Sequence, residues 1–263
     1  MEIKLSFRVN PKLYLKDPES SELGGQILVR SIDMIHQIGF EHFTFKKLAT
    51  EIHTTEATVY RYFENKHKLL LYALNWYWGY LAFYLEYRIS PMVEPASKIR
   101  EVIRVLTGEV GFDLVRAPFD LKNLNAIVIS ESSKVYLLKE VSEINKVQLY
   151  KPYKDLCAMI SGIIKEYNGQ YPYPRSLAST LVETAHTQQY FAHNLKGLTD
   201  VQEQAPEAYA RELLENMVMR ILEPDTEISK PGVWTGIGTK ELNWQVITRY
   251  ENPEGEPDTE DSI

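Results

Sequence analysis

Between positions 20 and 39, apolar residues recur at helical spacing: Leu28, Ile32 and Ile35 form one stripe, with Ile27, Met34 and Ile38 beside it. Gly39 ends that pattern, since glycine takes a left-handed cap without a Cβ penalty. Thr44 stands where an N-cap belongs, with Phe43 before it and Leu48 after it in the positions of a hydrophobic staple. Phe45, Leu48, Ala49 and Ile52 mark the inner face of a helix of about two turns that ends near His53. Thr54 or Thr55 caps a third short helix, whose inward residues Val59 and Phe63 are four apart. Asn65 caps a fourth, from Lys66 to about Ile89.

The chain beyond position 89 reads as helices at 96–114, 123–139, 146–168, 174–194 and 206–222, with Pro and Gly at the breaks. The expected fold class is all-α. Two flanks depart from it: IKLSFRV (3–9) and LNWQVITRY (242–250) alternate with period two and suggest strands, which can pair with each other. The last stretch, ENPEGEPDTEDSI, holds six acids and no base and reads as a solvated tail. The expected organisation is an N-terminal extension (1–20), a three-helix head (21–66), a helical body (67–223) and a C-terminal extension with the acidic tail (224–263).

Composition bounds this picture. With 263 residues, 44% of them hydrophobic, the chain can bury a large core. A single cysteine, Cys157, excludes an internal disulfide framework. MEIKLSFRVN lacks the apolar core of a secretory signal, and no apolar run is long enough to span a membrane, so a cytoplasmic protein is expected. The formal net charge of -7 argues against coating of nucleic acid or anionic membrane by the whole surface. Residues 1–70, however, carry ten Lys/Arg against nine Asp/Glu, so the acidity lies in the body.

Two short helices joined at a tight turn, small at Ala49 and apolar at Val59, have the geometry of a helix-turn-helix. His53 occupies the turn position that usually prefers glycine, and histidine tolerates positive φ better than most residues. From Gly39-Phe40 through FTFKKLATEIHTTEATVYRYFENKHKLL, over about residues 24 to 75, the chain resembles the TetR family of transcriptional regulators. The shared features are the threonine, the alanine, the tight turn, the capping hydroxyl, the Tyr-x-x-Phe and the lysine before a long helix.

That resemblance implies a second helix laid in the major groove of a double-stranded DNA operator. Thr55, Glu56, Ala57 and Thr58 then face the bases, Tyr60, Tyr62 and Lys66 reach phosphates, Arg61 adds a charge, and Thr44 is counted among the DNA-binding residues. Two readings stay open for some of these residues. Tyr60 and Tyr62 are either phosphate donors or core aromatics, and Glu56 either accepts from a cytosine amine or points away. The family further implies an effector pocket and a homodimer. Trp76 and Tyr80, from the ring-rich fourth helix, are expected at the pocket with Glu131, Tyr153, His186 and Gln188 as polar contacts. The same rings can equally be core and subunit packing. Leu177, Leu181, Leu213, Leu214, Met217, Val218 and Ile221 form the stripe expected at the dimer interface. The implied function is a repressor released from a palindromic operator by a small apolar or aromatic ligand, with no enzyme activity, cofactor or metal.

Two rivals come from other classes. Glu183 and His186 have the E-x-x-H spacing of carboxylate-bridged metal enzymes, but the other occurrence, Glu64 with His67, falls in the head. A helical adaptor that binds no DNA is the second, if the head is too weakly charged to hold phosphate.

Overall fold

The computed structural model describes residues 3–4, 9–108, 115–117, 119–136 and 141–223. Their helices are α1 (Glu22–His42), α2 (Phe45–Glu51), α3 (Glu56–Tyr60), α4 (Lys66–Ile89), α5 (Pro95–Leu106), α6 (Leu121–Glu131), α7 (Ser133–Tyr136), α8 (Val141–Lys146), α9 (Lys151–Tyr167), α10 (Pro174–Asn194) and α11 (Pro206–Leu222). The architecture is all-α. Of the strand expected over 3–9, Ile3–Lys4 (β1) pairs in parallel with Val115–Arg116 (β2). The expected partner at 242–250 and the acidic tail lie outside the described residues.

Most starts are set by side-chain caps that satisfy otherwise orphaned amides. Ser21 caps α1, Thr44 caps α2 through Lys47 N, Thr55 caps α3 through Thr58 N, and Asn65 caps α4 through Lys68 N. Glu94 and Asp120 do the same for α5 and α6. The helix expected over 96–114 ends at Leu106, where Gly108 turns the chain at φ 102°. The segment expected as one helix over 123–139 is cut at Ser132 into α6 and α7, and the one over 146–168 starts at Lys151, after Gln148 at φ 63°. Periodicity alone did not register these breaks, because apolar spacing continues through them.

α4 is the axle of the body. From Leu69 to Leu85 nearly every side chain is buried, so the helix is covered on all sides rather than along one stripe. α5, α6 and α9 pack around it, and α10 lies against α9 and α11. Trp76 stacks on Tyr80 with centroids 6.0 Å apart and meets Phe119 edge-on at 4.9 Å. The buried Glu101 of α5 ties back to α4 through Arg88 at 2.7 Å.

The N-terminal extension is part of the fold. It turns through short 3-10 helices at Pro11–Leu13 and Pro18–Ser20 and buries Leu13. Leu15 N donates to Tyr62 O at 2.7 Å, Tyr72 Oη donates to Glu19 at 2.9 Å, and Asn10 reaches Val147 O of the body at 3.0 Å.

α1 does not stop at Gly39. It breaks there, at φ 76° and ψ 157°, and then makes one further turn to His42. This is not the left-handed helical conformation expected from the sequence but the extended positive-φ region that is essentially confined to glycine. An added Cβ would find room, with its nearest neighbour, Glu131 Oε1, at 3.7 Å, so a substitution meets backbone strain rather than a clash. Gly39→Ala is therefore expected to destabilise the protein by about 1–3 kcal/mol in urea unfolding, without a change in m-value.

Candidate nucleic-acid interface and body pocket

The helix-turn-helix is built as its sequence suggests. Phe45, Leu48 and Ala49 of α2 are buried against Val59 and Phe63, and the small Ala49 lets α3 cross closely. His53 has φ 52°, and Thr54 N returns to Ala49 O at 2.9 Å to close the turn. The His53 side chain is exposed, so its imidazole packs nothing that would reward its strained backbone.

Across this motif the surface is hydroxylic. Thr55 Oγ1 accepts from Thr58 N and lies 2.8 Å from Thr58 Oγ1, which fixes both hydroxyls at the start of α3. Thr44, Thr55, Ala57, Tyr60 and Arg61 are exposed, and Glu56 and Thr58 are half-buried. Tyr60 remains 46% exposed while its ring meets Phe45 edge-on at 5.0 Å, so the ring is anchored on one side and open to solvent on the rest. Lys46 of α2 is exposed as well. Standing one position from the buried Phe45, it is turned about 100° around α2, away from the core.

Two expected phosphate contacts are placed elsewhere. Tyr62 is 3% exposed, and its hydroxyl lies 2.9 Å from Ser21 Oγ while accepting from Lys16 Nζ at 3.3 Å. It joins the N-terminal extension to the head, a role that sequence periodicity hid because the extension has no helical pattern of its own. The ammonium of Lys66 donates to Phe40 O at 2.9 Å, Glu41 O at 3.2 Å and Phe43 O at 3.3 Å, over the Phe40 ring. A lysine has three N–H donors, and all three are used. Lys66 holds carbonyls at the end of α1, where the helix runs out of amides to satisfy them.

The break at Gly39 exposes an amide. Phe40 N donates to Glu131 Oε1 of α6 at 3.1 Å, and Lys134 of α7 bridges Glu131 at 2.9 Å and Glu41 at 2.8 Å. The Lys134 hydrogen bond holds the Glu41 carboxyl below its ordinary value. Burial opposes the Lys134 charge, but its bonds to Glu41 and Glu131 prevail and keep its pKa above that of a free lysine. Glu131, expected as a ligand contact, thus ties the body to the head.

In the body, a cavity of about 500 Å³ is lined by Tyr136, Tyr150, Tyr153, Lys154 and Glu183 among others. Tyr136 and Tyr153 stack at 5.4 Å, and Tyr150 is tilted against Tyr136 at the same distance. Tyr153 Oη donates to Glu183 at 2.6 Å, and Tyr150 Oη donates to Val135 O at 2.7 Å. Trp78 of α4 backs this wall: its ring lies 4.9 Å from Tyr153 and its Nε1 donates to Tyr136 Oη at 2.5 Å. Of the expected pocket residues, Tyr153 lines the cavity. Trp76 and Tyr80 are sealed in the core beside Phe119, His186 is buried behind Trp78 at 5.6 Å, and Gln188 is half-buried on α10. Burial pushes the His186 pKa down to about 4 and keeps its ring neutral. Trp78, Tyr136 and Tyr150 were missed because periodicity shows that rings are inward, not which cavity they reach.

Glu183 and His186 do not converge, since one bonds Tyr153 near the surface and the other is buried. Among the described residues no three His, Cys, Asp or Glu side chains gather as metal ligands. No described helix is long and apolar enough to cross a membrane. The stripe expected at a dimer interface is largely consumed inside the protomer. Leu177, Leu181, Leu214 and Val218 are buried against neighbouring helices, while Leu213, Met217 and Ile221 are half-buried along α11. An apolar stripe reads alike whether a helix of its own chain or of a partner covers it.

Two substitutions separate structure from contact in this region. His53→Gly is expected to be neutral or to stabilise by up to about 1 kcal/mol, because relief of positive-φ strain opposes glycine's greater unfolded freedom. Lys66→Ala, in contrast, leaves three carbonyls without their charged donor and should cost about 1–3 kcal/mol in chemical denaturation.

Residues 27–73 match the family model of bacterial regulatory proteins, tetR family. No curated protein matches the chain in sequence. Among solved structures, a transcriptional regulator from Rhodococcus sp. Rha1 is 16% identical, with 79% of this chain and 96% of that one covered at a TM-score of 0.51. The fatty acid degradation regulator FadR from Bacillus halodurans is 15% identical, with 74% and 96% covered at 0.50. The superantigen PfiT is 14% identical, with 80% and 100% covered at 0.50. These likenesses establish a shared fold. The segment 27–73, which holds α2, the turn at His53 and α3, is similar to the tetR family of bacterial regulatory proteins.

Proposed function

We propose that the protein is a transcriptional repressor that binds a palindromic operator as a homodimer and leaves it when a small apolar or aromatic ligand enters the body. The observation that carries the DNA-binding part is the outer face of α3. Thr55, Thr58 and Ala57 present short groups at its start, with Tyr60 and Arg61 following, while Val59 and Phe63 pin the helix from behind. A recognition helix needs short side chains able to approach base edges and flanking donors that fix register on phosphates. Thr44 at the start of α2 and Lys46 extend the same surface. Hydroxyls and an anchored phenol supply donors where the head has little net charge.

The ligand part draws support from the tyrosine-walled cavity. Its wall is continuous with α4 through Trp78, and α4 begins at Lys66, which holds the 39–43 turn. A ligand that favours one placement of Trp78 over another thereby biases the head. A differential of about 1–3 kcal/mol changes operator affinity about 5- to 150-fold. The homodimer supplies two recognition helices for a palindrome, with Leu213, Met217 and Ile221 of α11 as the apolar strip still open for pairing. The functional divisions are the head at 21–66 and the sensing and dimerising body at 67–223.

Selection of bound sites from random duplex DNA tests the reading directly, and enrichment of a palindrome is the expected outcome. On the selected site, Arg61→Ala should weaken binding to all sequences alike and lower the salt slope by about one. Failure to enrich any sequence from the pool would refute DNA recognition by this chain.

A further inference from the structure

A second cavity lies where the head meets the body. It measures about 410 Å³ and opens between α1, α6, α10 and the start of α11. Its floor is apolar, with Ile35 and Ile127 buried, and Tyr190 stands 38% exposed at the rim. Two carboxylates line it, the buried Glu131 and the exposed Glu207, together with His36 and His193, and among the described lining residues none is a lysine or arginine. In this it differs from the tyrosine-walled cavity, where Lys154 stands with Glu183.

We infer that this cleft binds a small organic cation carrying an apolar or aromatic body, and that its occupancy is felt by the head through Glu131. The chemistry follows from the lining. An apolar floor takes the body of the ligand, the Tyr190 face accepts a cation or a planar ring, and Glu131 and Glu207 offer acceptors to ammonium or amidinium N–H groups. Glu131 is bridged by Lys134, which lies outside the lining, and Glu207 adds a further negative charge, so the cleft disfavours an anion of the same shape.

The coupling follows from what Glu131 already holds. Its Oε1 accepts the Phe40 amide beside Gly39, and both Glu131 and Gly39 line the cleft. Because Gly39 has no Cβ, nothing from that residue covers the carboxylate oxygen, which a Cβ would approach to 3.7 Å. A cation that bonds Glu131 competes with the Phe40 amide at the break that sets the turn before α2. Binding to the cleft does not depend on DNA recognition, so it can be measured on the free protein.

The probes are benzamidine, benzamide and benzoate, which share a ring and differ in charge. Calorimetric titration of the full chain should give benzamidine a dissociation constant of about 1 mM or tighter, with benzamide and benzoate at least about tenfold weaker. Glu207→Gln, at an exposed position, should keep the melting temperature and weaken benzamidine about two- to fivefold. Glu183→Gln, in the other cavity, should leave benzamidine binding unchanged. Amide exchange at Phe40 should accelerate when benzamidine is added. Equal affinity for the three probes, absence of benzamidine binding up to about 10 mM, or loss through Glu183→Gln but not Glu207→Gln would overturn the site. An unchanged Phe40 exchange rate at saturation would overturn the coupling.

Discussion

The placement of the two short helices hangs on one broken turn. At Gly39 the backbone leaves helical geometry, and the groups without helical partners from there to the end of α1 must be satisfied, because buried amides and carbonyls are costly to leave unpaired. Phe40 N finds Glu131 of the body, and the carbonyls of Phe40, Glu41 and Phe43 find the ammonium of Lys66 at the start of α4. One carboxylate from α6 and one ammonium from α4 therefore hold the stretch from which α2 departs. Lys134 closes the arrangement by bridging Glu131 and Glu41. These charge-assisted hydrogen bonds fasten that stretch, and they are directional in a way that apolar packing is not.

Around that fastening lie two of the body's cavities, of different character. One is walled by tyrosines and backed by Trp78, on the helix that starts at Lys66. The other is acidic, floored by α1 and α6, and shares Glu131 with the break. Both reach the head through short chains of named contacts, one through the axle of the body and one through its junction. Buried at nearly every position from Leu69 to Leu85, α4 cannot shift these side chains without disturbing its neighbours, since packed interiors are close to crystalline density. A rigid axle transmits displacement, whereas a loosely packed one absorbs it.

The fold by itself assigns no task. The same architecture occurs in transcriptional regulators and in a protein described as a superantigen, all at low identity to this chain. The DNA recognition proposed here rests on the α3 face, where Thr55 and Ala57 are exposed over the buried Val59 and the half-exposed Tyr60 meets Phe45 edge-on.

The local features were legible in the sequence. Thr44, Thr55 and Asn65 cap the helices they were expected to cap, Ala49 and Val59 meet at the crossing, and His53 takes the positive-φ turn. Capping and turn geometry involve residues three or four apart, so the chain states them directly. What the residues of the interface do was another matter. Tyr62 turns inward because an N-terminal extension without periodic pattern lies across it, and Lys66 is spent on carbonyls at the end of α1, over twenty positions away. Trp76 and Tyr80 are sealed in the core while Trp78, two positions from each, backs a cavity wall. Leu177, Leu181, Leu214 and Val218 face their own protomer rather than a partner. Each of these outcomes depends on which distant group arrives at a given side chain. Spacing along the chain reports that a face is apolar or that a donor is present, and only the packed structure decides what meets it.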